Sequence, residues 1–261
     1  MTKHASIDVL ISTHGSRIKQ VPNILHDFKR NVRYIICHQN FELYEPNEIL
    51  LNRTDVIYIR STSNGVTKSR NILLDKADAD LIYFCDDDVV LSENFDEIII
   101  NSHKKYSDDV ILFNIRDENG ELRKKYPNEV VKKTRFNILS VGTIEISLKN
   151  SPLLPKFPED MGAGTSLPVG DEAVFLSTFI KKGKSIRYIP NTIAIHPRES
   201  TGLEVTNGSI YSRGVALNRI YGIYAFLVAI FFLLRRRSLL KTDRGVLQGG
   251  ILFFKGVLLG K

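Results

Sequence analysis

Leu81-Ile82-Tyr83-Phe84-Cys85-Asp86-Asp87-Asp88 carries five apolar residues directly into three carboxylates. A short apolar run bounded by polar residues reads as a buried strand. The three adjacent carboxylates at its end repel one another, so a cation is expected to compensate them. A hard divalent ion with oxygen ligands suits such a cluster, and phosphate-bearing substrates bring such an ion with them. The alternative is a solvated acidic turn, which the strand-end context disfavours.

Upstream, residues 7–12, 32–37 and 56–59 are three further apolar runs. Between the first two, Ile18, Val21, Leu25 and Phe28 recur at helical spacing over 18–29, and a second helical pattern covers 67–76. Strands alternating with helices predict βαβ units and a mostly parallel sheet. Ligands bind such sheets at the carboxyl ends of the strands, where the polar loops fall. Downstream, 110–115 and 138–148 read as strands, 171–182 as a helix, and 186–189 and 192–195 as two short strands around Pro190.

The chain has 261 residues, 43% hydrophobic and 25% charged, which is ordinary globular composition and excludes a disordered or low-complexity protein. Cys37 and Cys85 both lie inside apolar runs, so they are expected to be reduced core residues of a cytosolic protein. The polar stretch 1–8 has no secretory-leader pattern, which predicts a cytoplasmic location. Net charge is +7, but residues 213–261 hold nine Lys/Arg against the single acid Asp243, leaving residues 1–212 near neutral at −1. A nucleic-acid-binding face spread over the fold is disfavoured by that balance. A basic segment beside apolar runs points instead to an anionic membrane surface.

Gly65-x-x-Lys68-x-Arg70-Asn71, a spacer, and then the strand ending in Asp86-Asp87-Asp88 together resemble family 2 glycosyltransferases of the A-type fold. The resemblance covers roughly residues 7–200. It implies an α/β fold, a Rossmann-like mixed sheet flanked by helices (GT-A), with a nucleotide-sugar held at the end of the fourth strand. Asp86 would then face the nucleoside, Asp87 would join the donor site, and Asp88 would hold a divalent cation, Mn²⁺ or Mg²⁺. Thr13 and Arg17 stand in the first loop, where family members meet nucleobase and diphosphate. The family's usual uracil-reading Asp after the second strand is replaced by His38-Gln39-Asn40, so the base is left open, with a UDP-sugar the expected donor and Gln39 a candidate contact. His14 and His38, at strand ends, are further candidates. Lys68 and Arg70 are placed to meet phosphate charge, and Gly65 and Asn71 complete the motif.

Gly162-x-Gly164 and then Gly170-Asp171-Glu172 resemble the family's glycine loop and the acidic pair that opens the next helix. The second acid is the family's base, so Glu172 would deprotonate the acceptor hydroxyl, with Asp171 beside it. A carboxylate suits that work on chemical grounds alone. The family's usual residue there is Asp, one methylene shorter. His196, in an apolar-His-Pro context at a strand end, would complete metal coordination as it does in several branches of the family.

Residues 220–234 carry no charge and are flanked by Arg219 and Arg235-Arg236-Arg237. As one helix they would span about 22 Å, short of the roughly 30 Å hydrocarbon core. With a second apolar run over 246–260, the expectation is a helical tail (206–261) lying in the membrane interface behind a catalytic domain (1–205). The alternative packs those helices on the domain or in a homodimer interface. The activity expected is inverting, metal-dependent sugar transfer to a glycan or lipid-linked acceptor, in surface polysaccharide synthesis at the cytoplasmic face. A nucleotidyltransferase and a non-catalytic membrane scaffold are the alternatives.

Overall fold

The computed structural model describes residues 5–197, 205–240 and 245–260. Its centre is a nine-stranded mixed sheet. The first four large strands are β1 (Ile7–His14), β2 (Val32–Gln39), β3 (Val56–Ser61) and β4 (Leu81–Asp86). They lie side by side in parallel in the order β3-β2-β1-β4. Beyond β4 the sheet turns mixed. The short β8 (Ile146–Lys149) runs antiparallel to both β4 and β6 (Val110–Arg116), and β6 runs parallel to β9 (Ile186–Ile195). Two-residue strands β5 (Val90–Leu91) and β7 (Val131–Lys132) pair with β9.

Alternation along the strands sends side chains to both faces. Ile7, Val9, Ile11, Tyr83 and Cys85 join one core with Phe95 and Ile99 of α3 (Phe95–Lys105). Leu10, Ile82 and Phe84 join the other core, with Leu73 and Leu74 of α2 (Val66–Lys76) and with Phe175, Leu176 and Phe179 of α4 (Asp171–Lys181). Both faces are covered, which is why these strands read as near-continuous apolar runs. A short helix, α1 (Glu48–Asn52), precedes β3.

Four elements differ from expectation. Residues 15–24 form a 3-10 segment containing Pro22, whose missing N–H cannot serve an α-helical ladder. Of 138–148 only Ile146 to Leu148 are strand; a tight turn over Thr143–Glu145 precedes them. Residues 186–195 are one strand, with register shifts against β6 around Asn114 absorbing Pro190. The apolar run 220–234 is broken at Gly222 (φ 57°) into α5 (Asn207–Tyr221) and α6 (Ala225–Arg235), and α7 (Val246–Leu259) packs back on α5. Residues 198–204, next to the expected boundary between domain and tail, lie outside the described residues.

The tail begins as part of the α/β body. Ala216 and Val215 of α5 pack on Met161 and Leu167, while Ile210 and Leu217 share a cluster with Ala173 of α4. The Ser212 hydroxyl donates to the Val169 carbonyl at 2.6 Å. Gly214 and Gly256 let the backbones of α5 and α7 touch, since a Cβ on Gly214 would stand 2.2 Å from the Phe253 carbonyl oxygen.

Candidate active site

Strand order places the site. Asp86 ends β4 beside Ser12 of its neighbour β1, so the loop after β1 and the loop after β4 meet. Arg17 in the first loop donates Nε to Asp87 at 2.7 Å and Nη2 to Asp88 at 2.8 Å. Part of the expected compensation for the acidic triplet is therefore supplied by the protein itself. Asp87 is buried and receives Gln20 as well. Thr13 is buried nearby, and its Oγ1 finds no hydrogen-bond partner among the described residues.

His196, buried just after β9, sets Nε2 3.1 Å from Asp88 Oδ1, while its Nδ1 faces the Pro197 carbonyl at 2.7 Å. That contact is an ion pair rather than an aligned hydrogen bond, and Oδ1 has no hydrogen-bond donor among the described residues. Burial disfavours charge on Asp88, but His196 and Arg17 outweigh it and bring the carboxyl down to about 2. Burial likewise works against the His196 imidazolium, and Asp88 reverses that, so its pKa is raised. With the imidazole neutral, Asp88 Oδ1 and His196 Nε2 are two neighbouring donor atoms that fit a divalent cation of the Mn²⁺ type. No cluster of three or more ligating side chains occurs among the described residues, so a cation here would take its remaining ligands from substrate or water.

Arg70 is the centre of the second half of the site. From α2, its guanidinium donates to Asp171 at 2.9 Å and to Asp86 at 3.3 Å, and it lies 3.9 Å from Glu172. It also lies over the Phe157 ring. Burial disfavours its charge, but Asp86, Asp171 and Glu172 outweigh burial and raise its pKa. Burial pushes the Asp171 carboxyl well up, helped by Glu172 and opposed by Arg70. One buried cation thus ties the acid at the end of β4 to the acidic pair that opens α4. Rather than waiting for phosphate, Arg70 is already occupied by carboxylates.

Glu172 is partly exposed and accepts a hydrogen bond from Thr143 Oγ1 at 2.8 Å. Gly170 holds the left-handed conformation (φ 96°) at the start of α4, and a Cβ there would fall 2.8 Å from the Ala216 side chain. Only glycine lets α5 approach that closely. The glycine loop leans on the motif before α2: a Cβ on Gly164 would lie 3.3 Å from the Gly65 Cα. Thr67 Oγ1 donates to the Met161 carbonyl at 2.7 Å.

The other predicted residues are distributed as follows. The Gln39 amide nitrogen donates to the Ser63 and Gly65 carbonyls at 2.9 and 3.1 Å, so it shapes the loop before α2. Asn71 is buried, its amide nitrogen donating to the Phe157 carbonyl at 3.0 Å and its oxygen accepting from the Phe157 N–H at 2.8 Å. That spends its amide on the loop beneath the site. Lys68 is half-buried in the first turn of α2. His38 is wholly buried between Tyr58 Oη and the Gly15 carbonyl, while His14 is exposed. Two residues escaped the sequence: Arg70 as an acid-binding hub and Thr143, hidden in a stretch that reads as strand.

The strand-end carboxylates of a mixed α/β sheet thus face a second acidic pair across Arg70. The chain belongs to glycosyl transferase family 2, whose model matches residues 8–153, and it is a nucleotide-sugar-dependent glycosyltransferase. That sets aside the nucleotidyltransferase alternative. Among solved structures it is similar to S. aureus TarS residues 1–349, with a TM-score of 0.66 and 14% identity over 97% of this chain and 81% of that one. It is also similar to the same protein with UDP-GlcNAc (TM-score 0.65, 16% identity, 97% and 81% covered) and with UDP (TM-score 0.63, 14% identity, 92% and 73% covered). At these identities the likeness shows the fold. No curated protein matches the chain.

Proposed function

We propose that the protein moves a sugar from a UDP-sugar to a hydroxyl of a glycan or lipid-linked acceptor, with inversion, in surface polysaccharide synthesis. The observation that carries this reading is the Arg70 bridge, which holds the donor-side acid Asp86 and the pair Asp171–Glu172 around one cleft. Glu172, the more exposed of the pair, takes the acceptor proton as the acceptor oxygen attacks the anomeric carbon. The bond from that carbon to the diphosphate oxygen breaks, and the diphosphate leaves with its electron pair. Asp88 and His196 would hold a divalent cation, Mn²⁺ or Mg²⁺, which when bound offsets charge on the departing diphosphate. Two of the similar TarS structures contain UDP or UDP-GlcNAc, which supports UDP as the nucleotide.

The same reading places the enzyme peripherally on the cytoplasmic face of a membrane, residues 206–261 forming the contact. Asn207–Arg235 is long and apolar enough to cross a bilayer, with mean hydropathy 1.9 in its most apolar window. Yet α5 is committed to the catalytic body, and Arg219 is paired with Asp160. Attachment within the interface accords better with that arrangement. Ile223, Leu227, Phe231 and Leu234 recur on one face of α6 and its lead-in, and all four are exposed. Leu247, Ile251 and Leu258 do the same on α7, with Lys255 between them, and Arg235 ends α6 with Arg236 directly after it. Apolar faces rimmed by basic residues suit an anionic lipid surface.

The experiment is nucleoside-diphosphate release from a panel of nucleotide-sugars, with and without Mn²⁺. Release from a UDP-sugar that requires the metal is expected. Turnover of a non-uridine donor, or equal rates in EDTA, would overturn the corresponding part.

A further inference from the structure

Glu172 must be aimed as well as present. A Glu side chain has one more rotatable bond than Asp, so fixing its carboxylate costs more conformational entropy. Thr143 supplies a fixed point. Its side chain is 3% exposed, and its hydroxyl donates to Glu172 Oε1 at 2.8 Å. Fixing one oxygen sets the carboxylate's place and limits its rotation, and so the direction of the other oxygen.

The turn carrying Thr143 is itself anchored on three sides. The Gly142 N–H donates to Glu145 Oε1 at 3.0 Å, closing the turn from within. Lys124 bridges the Ser140 carbonyl and the same Glu145 oxygen. Tyr83, fully buried in β4, donates its hydroxyl to the Ile144 carbonyl at 2.7 Å. Tyr83 stands three residues before Asp86, so the strand that delivers the donor-side acid also fixes the turn that orients the second. Glu145 is a nearly buried acid held by Lys124, a costly arrangement to keep on a turn with no task.

We propose that Thr143 is a positioning residue of the transfer reaction, aiming the Glu172 carboxylate at the acceptor hydroxyl through its own hydroxyl. This rests on Glu172 being the base, and the test separates the two claims. Thr143→Val keeps the shape and removes the donor, while Thr143→Ser restores it. Both are compared with the full chain using the panel's fastest donor and water as acceptor. Thr143→Val is expected to lower kcat about tenfold, with KM for donor within about twofold, a loss in the range that small misplacements produce. Thr143→Ser should recover to within about threefold. In a Glu172→Asp background, whose shorter side chain withdraws from the hydroxyl, Thr143→Val should cost less than about twofold more, because coupled residues are not additive. A crystal structure of Thr143→Val should show the Glu172 carboxylate displaced.

An unchanged kcat in Thr143→Val, a Glu172 carboxylate still in place, or the same loss in both backgrounds would overturn the role of Thr143 while leaving the base intact. Full activity in Glu172→Gln would overturn the base assignment and this proposal with it.

Discussion

Arg70 and Asp171 stand 101 positions apart in sequence and 2.9 Å apart in space, each with less than a tenth of its side chain exposed. The pair joins α2 to α4 and so links the two halves of the sheet across the cleft. Its neighbours Asp86 and Glu172 make it a four-residue network with one cation and three acids.

Removing that cation is expected to damage stability and activity together. Arg70→Gln removes the one cation that Asp86, Asp171 and Glu172 share, and breaking such a buried network costs about 3–5 kcal/mol. Urea unfolding should show that loss. Arg70→Lys keeps the charge but cannot serve Asp86 and Asp171 with a planar fork, so an intermediate loss is expected. A midpoint unchanged in Arg70→Gln would mean that the network is not structural.

His103 predicts how stability responds to acid. It is buried on α3, with Nε2 3.1 Å from the Ser147 hydroxyl, and burial aided by Lys149 and opposed by Asp108 brings its pKa down to about 4. Between the unfolded value of about 6.5 and pH 4, the unfolded chain binds the extra proton. Its contribution is therefore complete above about pH 6.5 and falls as pH drops through that window, by roughly 3 kcal/mol in all. Chemical denaturation at pH 7 and pH 4.5 should show a smaller difference for His103→Gln than for the parent. Equal slopes would place the imidazole in solvent.

Glu172→Gln should abolish sugar transfer, by about a hundredfold or more, while nucleotide binding stays within about twofold. Calorimetric titration with UDP separates the two effects. A parallel collapse of UDP affinity would make Glu172 a binding or structural residue.

The tail should show two separable kinds of attraction. Replacing Arg235, Arg236 and Arg237 by Gln should weaken binding to phosphatidylglycerol vesicles at low salt, each contributing roughly 1 kcal/mol. Leu227→Asp with Phe231→Asp should remove the salt-resistant remainder. Vesicle flotation at two salt concentrations checks both. A parent chain that ignores such vesicles and sediments as a dimer would assign these faces to a second copy instead.

Much of this was legible locally. The run into Asp86-Asp87-Asp88 reports its strand because both faces of β4 are covered, which forces every position before the acids to be apolar. The helix opening at Asp171 is equally local, since glycine before a run of helix formers marks its start. What the sequence hides is long-range. Nothing near Arg70 announces Asp171, and an apolar–polar alternation over 138–148 conceals a turn closed by Glu145 and Lys124. Residues 220–234 read as one helix because Gly222 is tolerable in a helix, whereas in the fold Gly222 takes a positive φ and ends α5.

Asp88 closes the acidic triplet, and its buried Oδ1 faces His196. The most direct measurement is nucleoside-diphosphate release from the best donor, with Mn²⁺ supplied, for the parent and for Asp88→Asn. Removing one such charge should lower turnover by about a hundredfold or more, with the chain still folded at the assay temperature by circular dichroism. Near-normal turnover in Asp88→Asn would contradict the assignment of this strand end as the donor and metal site.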